Sequence, residues 1–119
     1  MLNSELIART EEILLERGWH QGGAINRKTG AVCLGGALMI ALGIEPTYSF
    51  GAWRFDGPFA QIAEPYGHVA NQIITALPGM WEPGFGTMEA WNDGALRTFQ
   101  EVLDALHEAH LLAKEAERG

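Results

Sequence analysis

Few residues of this 119-residue chain could perform chemistry, and the single thiol, Cys33, stands at the start of an apolar segment. If that segment is a helix, the free N–H groups of its first turn favour the thiolate form of the cysteine. A cysteine nucleophile also requires a base and a group that orients the base. His20 or His68 could be the base and Asn92 or Asp93 the orienting group. One candidate catalytic set for a hydrolase or transferase is therefore Cys33, His68 and Asp93.

The immediate surroundings of Cys33 favour a structural role over a catalytic one. Val32 and Leu34 flank the thiol, and cysteine in such surroundings usually packs as a small buried hydrophobe. The local signatures that surround the nucleophile in several cysteine-enzyme families are absent. We therefore predict no catalytic residues and keep the cysteine-dependent enzyme as the alternative function.

Histidine spacing raises the question of a metal site. His107 and His110 lie one helical turn apart with Asp104 one turn earlier, a spacing that can hold zinc if a third ligand arrives from elsewhere. No second cluster of ligand residues accompanies them, and His110 falls on an apolar stripe. The glycines at 18–23 match neither the phosphate-binding nor the dinucleotide-binding pattern. We predict neither a metal nor a cofactor.

Near the C-terminal end, polar and aromatic residues gather into what we call the corner: Trp91, Asn92, Asp93, Arg97, Thr98 and Glu101. Thr98 and Glu101 have the spacing of a capping box at a helix start. Asp93 can accept backbone N–H bonds in a turn at Gly94, Asn92 can bond the chain on both sides, and Arg97 can pair with a carboxylate. We predict that the corner joins the last helix to the second, with Trp91 packed beneath it.

A second feature is the aromatic segment at residues 48–59, which lies in a long connection without helical periodicity. Long irregular loops in compact domains are often functional, and Tyr, Trp and Arg are common anchors of protein interfaces. The candidate binding residues are Tyr48, Trp53, Arg54 and Phe55. Two alternatives stay open: that these aromatics fold inward as a lid on the core, and that a small-molecule pocket lies beneath Trp19, Trp81 and Trp91.

Hydrophobic periodicity indicates the elements that position these residues. We expect a helix capped by Asn3 or Ser4 and ending near Arg17, an extended pair Ala31–Val32, and helices over Cys33–Leu42, Tyr66–Leu77 and Phe99–Glu115. Long ordered connections over Ile44–Pro65 and Met80–Leu96 separate them, with a short helical turn to Ala63. The fold class is mainly α: a compact single domain, residues 1–119, of about four helices around the central apolar helix, with at most a minor β-hairpin.

The apolar stripes of the outer helices indicate which faces are buried. The first helix presents Leu6, Ile7, Ile13 and Leu14. The last helix presents Phe99, Val102, Leu103, Leu106, His110 and Ala113 at a spacing of 3.6 residues. The second helix is apolar on every side, so we place it at the centre.

Composition restricts the partners and the compartment. A net charge of −7 disfavours nucleic acids and anionic membranes as partners but is compatible with a basic protein partner, because complementary charge speeds encounter. One cysteine permits no internal disulfide, and the acidic first helix is unlike a secretory signal, so we expect a cytoplasmic protein. The longest apolar run, residues 31–44, is shorter than the roughly 20 residues that a membrane span needs.

Three motifs carry a family resemblance. They are Gly18-Trp19 after the first helix, the Cys-x-x-Gly-Ala-Leu segment at residues 33–38, and the block that joins Trp91-Asn92-Asp93 to Arg97-Thr98 and Glu101-Val102. With these motifs the chain resembles a family of small proteins of actinobacteria and their phages that is classed as a domain of unknown function. The resemblance implies a shared fold and a phage or actinobacterial setting, and it supplies no activity. We predict a non-enzymatic, protein-binding accessory protein.

Overall fold

The computed structural model describes residues 1–77 and 87–119. Its elements follow the order α1 (Asn3–Arg17), α2 (Leu34–Ala41), β1 (Pro46–Ser49), β2 (Ala52–Phe55), α3 (Phe59–Ala76), α4 (Met88–Asn92) and α5 (Phe99–Arg118). The four longer helices and the single antiparallel hairpin of the described residues confirm the predicted mainly α class. The radius of gyration of 13.8 Å is that of a compact chain of this length.

Helix α2 is the centre of the core, as its uniformly apolar sequence predicted. Ala37 and Leu38 have no exposed surface, and Leu34 at its first position is equally buried. Helices α1, α3 and α4 pack around it, while α5 packs against α1 and α3. An all-apolar helix can be stabilised only when neighbours cover every side of it, which explains this position.

The start of α1 differs from the prediction. Leu2 is the N-cap residue, and the Leu2 N–H donates to the Glu5 carboxylate over 3.0 Å. Ser4 lies inside the helix, where its hydroxyl donates to Glu117 Oε1 at the end of α5 over 2.6 Å. Ser4 therefore caps nothing on its own helix, because its side chain has a partner on another helix. The predicted stripe, by contrast, is confirmed: Leu6, Ile7, Ile13 and Leu14 are all buried.

The first long connection contains more regular structure than predicted. Strands β1 and β2 pair from Pro46↔Phe55 to Ser49↔Ala52 and are joined by Phe50 and Gly51. Both linking residues have positive φ, 51° and 75°, which is the signature of a type I′ hairpin turn. The right-handed twist of the two strands favours this turn.

Helix α3 begins at Phe59, seven residues before the predicted start, and the predicted short turn to Ala63 is its first part. The predicted connection ended at Pro65 and the helix began after it, which is wrong because α3 continues through Pro65. Pro65 lies inside α3 on an exposed face. A proline there removes one helical hydrogen bond. The packing of Val69, Ala70 and Ile73 against the core offsets that loss.

The second predicted connection lies in part outside the described residues, and α4 begins within the rest of it at Met88. Helix α5 extends to Arg118, slightly beyond the predicted end. Its buried face differs from the predicted stripe. Val102, Leu106 and Ala113 are buried as expected, but Ala105 and Ala109 replace the half-exposed Leu103 and His110. Small alanines let α5 approach its neighbours closely.

Candidate functional site

Asn92, the last residue of α4, connects three separate segments of the chain. It has no exposed surface. Its Oδ1 accepts hydrogen bonds from the Trp19 indole N–H over 2.8 Å and from the Leu34 backbone N–H over 3.1 Å. Its Nδ2 donates to the His20 carbonyl and to Asp93 Oδ1, each over 3.0 Å. One amide side chain therefore joins the loop after α1, the start of α2 and the end of α4.

Asp93 and Gln21 strengthen the same junction. Asp93 Oδ1 accepts the Gly22 backbone N–H over 3.0 Å, so its main-chain partner lies in the first loop and not in the turn at Gly94. Gln21 Nε2 donates to the Asn92 carbonyl over 2.9 Å and to the Gly94 carbonyl over 3.0 Å. The corner is therefore bound to the loop that follows α1, a connection that the sequence did not indicate.

Arg97 and the capping box hold the start of α5. Arg97 Nε donates to the Trp91 carbonyl over 3.0 Å, and its guanidinium lies 4.0 Å above the centre of the Trp91 ring. Its Nη1 pairs with Glu101 over 3.1 Å. The predicted capping box of Thr98 and Glu101 is present. The Thr98 N–H holds the pKa of Glu101 below its ordinary value, and the Thr98 hydroxyl and Arg97 add to that effect.

Cys33 is the N-cap residue of α2 and lines a pocket of about 170 Å³. Tyr66, Glu89 and Asp93 are the other polar residues of its wall. The Cys33 side chain is 5% exposed, and its sulfur accepts the Gly36 N–H over 3.3 Å. Burial raises the pKa of the thiol, and hydrogen bonds from α2 oppose that rise without cancelling it. The thiol is therefore protonated at neutral pH.

The two candidate histidines lie at different places relative to this pocket. His68 is exposed on α3, where its Nε2 lies 3.8 Å from Glu64 Oε1, and it does not line the pocket. His20 is closer: its Nε2 lies 3.8 Å from the position that a Cβ would take on Gly23, which is a wall residue. The structure thus brings together Cys33 and Asp93 and leaves His68 apart from both.

The histidines of α5 have other surroundings. His110 Nδ1 lies 3.0 Å from the Ser4 carbonyl, and His107 is exposed. Across residues 1–77 and 87–119, no three cysteine, histidine or acidic side chains are close enough together to hold a metal ion. Trp81, one of the residues of the small-molecule pocket considered from the sequence, lies outside the described residues.

The aromatic segment is divided between the core side and the solvent side of the hairpin. Trp53 is half-buried, with the Arg17 guanidinium 5.1 Å from its ring centre and its backbone N–H bonded to the Arg27 carbonyl over 2.8 Å. Phe55 packs against the core, and Arg54 is half-buried. Tyr48 is 59% exposed and contacts Trp53 edge-on, with the ring centres 5.5 Å apart.

Phe50 is an aromatic residue of this segment that does not belong to the predicted binding set. It occupies the tip of the hairpin and is 98% exposed, with a φ of 51°. The signal that could have found it is the Phe-Gly pair between two short segments rich in β-forming residues. Tyr66 and Glu89, the other omitted residues, are far from Cys33 in sequence, so only the tertiary structure brings them together.

The pKa of Cys33 leads to a direct prediction. A raised pKa means a smaller thiolate fraction at any given pH, and burial also limits access to the sulfur. We expect iodoacetamide to alkylate the folded protein at pH 8 at least about tenfold more slowly than the urea-unfolded protein. The rate should rise only as the pH exceeds the ordinary cysteine range. Rapid alkylation of the folded protein below about pH 7 would contradict this and would favour the cysteine-dependent enzyme.

These features define a small, mainly helical domain with a hydrogen-bonded polar corner, an adjacent pocket and a projecting hairpin. The chain belongs to the family of unknown function DUF6197, which it matches over residues 2–111. This confirms the expected membership of a domain of unknown function. No curated protein and no solved structure matches the chain. Neither described part of the chain contains a helix that is long and apolar enough to cross a membrane.

Proposed function

We propose that this protein is a small cytoplasmic accessory protein, of phage or actinobacterial origin, that binds another protein through the tip of its hairpin. The observation that supports the proposal best is the state of Phe50. A large aromatic side chain that is 98% exposed contributes almost no packing to its own fold. Aromatic residues that project from a rigid support are typical anchors of protein interfaces.

The backbone of Phe50 adds to the argument. A φ of 51° places this residue in the left-handed region, which costs an L-residue with a bulky side chain about 1–2 kcal/mol. Asn, Asp or Gly at this position would suit a type I′ turn better. A residue that is both strained and exposed is poorly explained by folding alone, and such strain often accompanies binding.

Tyr48 extends the exposed aromatic surface, and Trp53 supports it from beneath. The half-buried Trp53 packs against Gly30, where an added Cβ would lie 3.1 Å from the indole ring. The hairpin is therefore held on the loop after α1 and does not need to order itself upon binding, which reduces the entropic cost of association. The partner is a protein with an apolar pocket for Phe50.

Net charge acts at longer range than the aromatic contact. The Arg17 guanidinium lies 5.1 Å from the Trp53 ring centre, so a basic group borders the aromatic residues of the hairpin. The total charge of −7 acts instead on the rate of encounter and favours a partner that is basic overall. The same charge makes nucleic acid and anionic membranes poor partners.

The test compares two exposed apolar residues. Phe50→Ala should weaken the affinity for the partner captured by the native protein at least about 30-fold, which is the size of effect at an interface anchor. Leu96→Ala should leave the affinity unchanged, because Leu96 is 92% exposed and lies outside the hairpin. Isothermal titration with the purified partner measures both affinities. Equal affinities of the native protein and Phe50→Ala would refute the hairpin as the binding surface.

A second substitution separates binding from folding. Phe50→Asn creates the preferred Asn-Gly pair of a type I′ turn, so we expect the free energy of unfolding to rise by about 1 kcal/mol. The same variant should lose binding as Phe50→Ala does. Higher stability together with loss of partner binding is the result expected if Phe50 serves binding and not folding. A loss of stability would show instead that Phe50 supports the fold.

A cysteine-dependent hydrolase or transferase remains the second candidate, because Cys33 and Asp93 line one pocket with His20 near its edge. Against it, burial raises the pKa of the thiol. In addition, Asp93 is bonded to Gly22 and Asn92, and no bond to an imidazole is present among the described residues. The alkylation experiment described above distinguishes the two functions.

A further inference from the structure

A second groove, lined by apolar and aromatic residues, adjoins the pocket beside Cys33. The groove has a volume of about 230 Å³ and shares Met39 and Tyr66 with the pocket. Phe59, Ile62 and Ala63 of α3 form the rest of its wall. The two volumes together reach the lower part of the roughly 300–1,000 Å³ typical of small-molecule sites. We call the pocket and the adjoining groove together the cleft, with the pocket as its polar end and the groove as its apolar end.

Glycines in α2 keep the polar end open. A Cβ on Gly35 would lie 2.8 Å from the Tyr66 hydroxyl and 3.0 Å from Glu89 Oε1. A Cβ on Gly36 would lie 2.3 Å from the Ala24 carbonyl oxygen. Only glycine at these two positions lets the Tyr66 hydroxyl, the Glu89 carboxylate and the first loop approach the start of α2 so closely.

The charges of the polar end select the ligand. Glu89 and Asp93 are the two acidic residues of the wall that the structure describes. The raised pKa values of Cys33 and Tyr66 keep those two groups neutral. Among the residues that the structure describes, no lysine or arginine lines the pocket. Because the described part of the wall holds two acidic side chains and neither lysine nor arginine, a positively charged group is the favoured occupant.

Some polar atoms at the polar end of the cleft have no hydrogen-bond partner among the described residues. Tyr66 donates to Glu89 Oε1 over 3.1 Å, and Asp93 Oδ1 accepts from Gly22 and Asn92. Within the described residues, neither Glu89 Oε2 nor Asp93 Oδ2 accepts a hydrogen bond from the protein. Cys33 is 5% exposed. Its sulfur accepts the Gly36 N–H, and no acceptor for its S–H is present among the described residues.

We propose that this cleft binds a small amphipathic amine, with the ammonium group between Glu89 and Asp93 and the apolar tail along Met39, Tyr66 and Ile62. The ammonium group can donate to the two carboxylates, and such charge-assisted bonds are among the stronger ones in proteins. The tail displaces water from the apolar groove. The site is separate from the hairpin tip and does not depend on the partner proposed for it.

The experiment uses three probes of equal chain length: hexylamine, hexanol and hexanoate. Two-dimensional ¹⁵N NMR of the full-length protein should show saturable shifts of the Gly23, Gly35 and Gly36 amides with hexylamine, at a dissociation constant of roughly millimolar order for so small a ligand. Hexanol should bind at least about tenfold more weakly, because it lacks the charge. Hexanoate should give no saturable shift.

Substitutions at each end of the cleft test which part of the ligand that end binds. Glu89→Gln should weaken hexylamine binding about tenfold and leave hexanol binding unchanged, because it removes one charge from the polar end. Ile62→Ala should weaken both ligands, since it removes part of the apolar wall. The matched control is Glu45→Gln, an exposed carboxylate outside both cavities, which should change neither.

Two results would overturn the proposal. One is binding of hexanoate as strong as that of hexylamine, which would show that the wall does not select a cation. The other is equal hexylamine affinity in the native protein and in Glu89→Gln with the amide spectrum otherwise intact. Loss of binding in Glu45→Gln as well would also count against it, because the effect would then follow from the net charge of the protein.

Discussion

Asn92→Ala is expected to lower the free energy of unfolding by about 3 kcal/mol, a large share of the stability of a domain this size. The substitution leaves the Trp19 indole N–H, the buried Leu34 N–H and the His20 carbonyl without their protein partners. A buried group that loses its hydrogen bond costs about 1–3 kcal/mol. Urea unfolding followed by circular dichroism measures the loss.

The control for this prediction is Asn71→Ala, the same chemical change at an exposed position of α3. We expect it to alter the free energy of unfolding by less than about 0.5 kcal/mol. Asn92→Asp gives a second comparison, because it keeps the acceptor for Trp19 and Leu34. The new carboxylate lies beside Asp93, so its pKa is raised in the folded state and its destabilising effect should shrink as the pH falls. Equal losses for Asn92→Ala and Asn71→Ala would contradict the role assigned to the corner.

Trp91→Ala is expected to lower the free energy of unfolding by about 3–5 kcal/mol. The substitution leaves a cavity in place of the largest fully buried side chain among the described residues. The indole has no exposed surface, and the Arg97 guanidinium stacks on it at 4.0 Å. Removing the ring leaves a cavity beneath the corner and takes away the aromatic face that Arg97 covers. The measurement is again the free energy of unfolding in urea.

Trp53→Ala is the matched control for this second prediction, since it removes the same side chain from a half-buried position. We expect Trp53→Ala to lower the free energy of unfolding by less than half as much as Trp91→Ala, because part of the Trp53 ring is already in contact with water. The free energy of unfolding of Trp91→Phe should lie between those of the native protein and Trp91→Ala, since phenylalanine keeps an aromatic face for Arg97. If Trp53→Ala proved the more destabilising of the two alanine variants, the corner would not be the structural centre of α4 and α5.

The helices could be predicted from the sequence where the signal was local. The stripe of α1, the uniformly apolar α2 and the capping box at Thr98 each depend on residues within a few positions of one another. Periodicity and capping act over that distance. The start of α3 was misplaced because the chain continues as one helix through Pro65, and the packing of residues further along α3 supports that continuation.

The members of the corner could be named from the sequence, but their partners could not. Asn92 bonds to Trp19, His20 and Leu34, which lie more than 50 residues away along the chain. Nothing in the local pattern of a loop specifies which distant backbone groups an amide side chain will meet. That choice follows from how α1, α2 and α4 pack.

Residue types and local spacing alone determined that this chain folds as a mainly helical domain around one apolar helix, because burial of that helix is favourable in almost any arrangement. The tertiary structure alone decided that Phe50 faces solvent, that Cys33 is buried beside two carboxylates, and that the cleft has one polar end and one apolar end. These properties depend on the relative positions of elements far apart in the chain, and exposure and electrostatic environment exist only once those elements have packed.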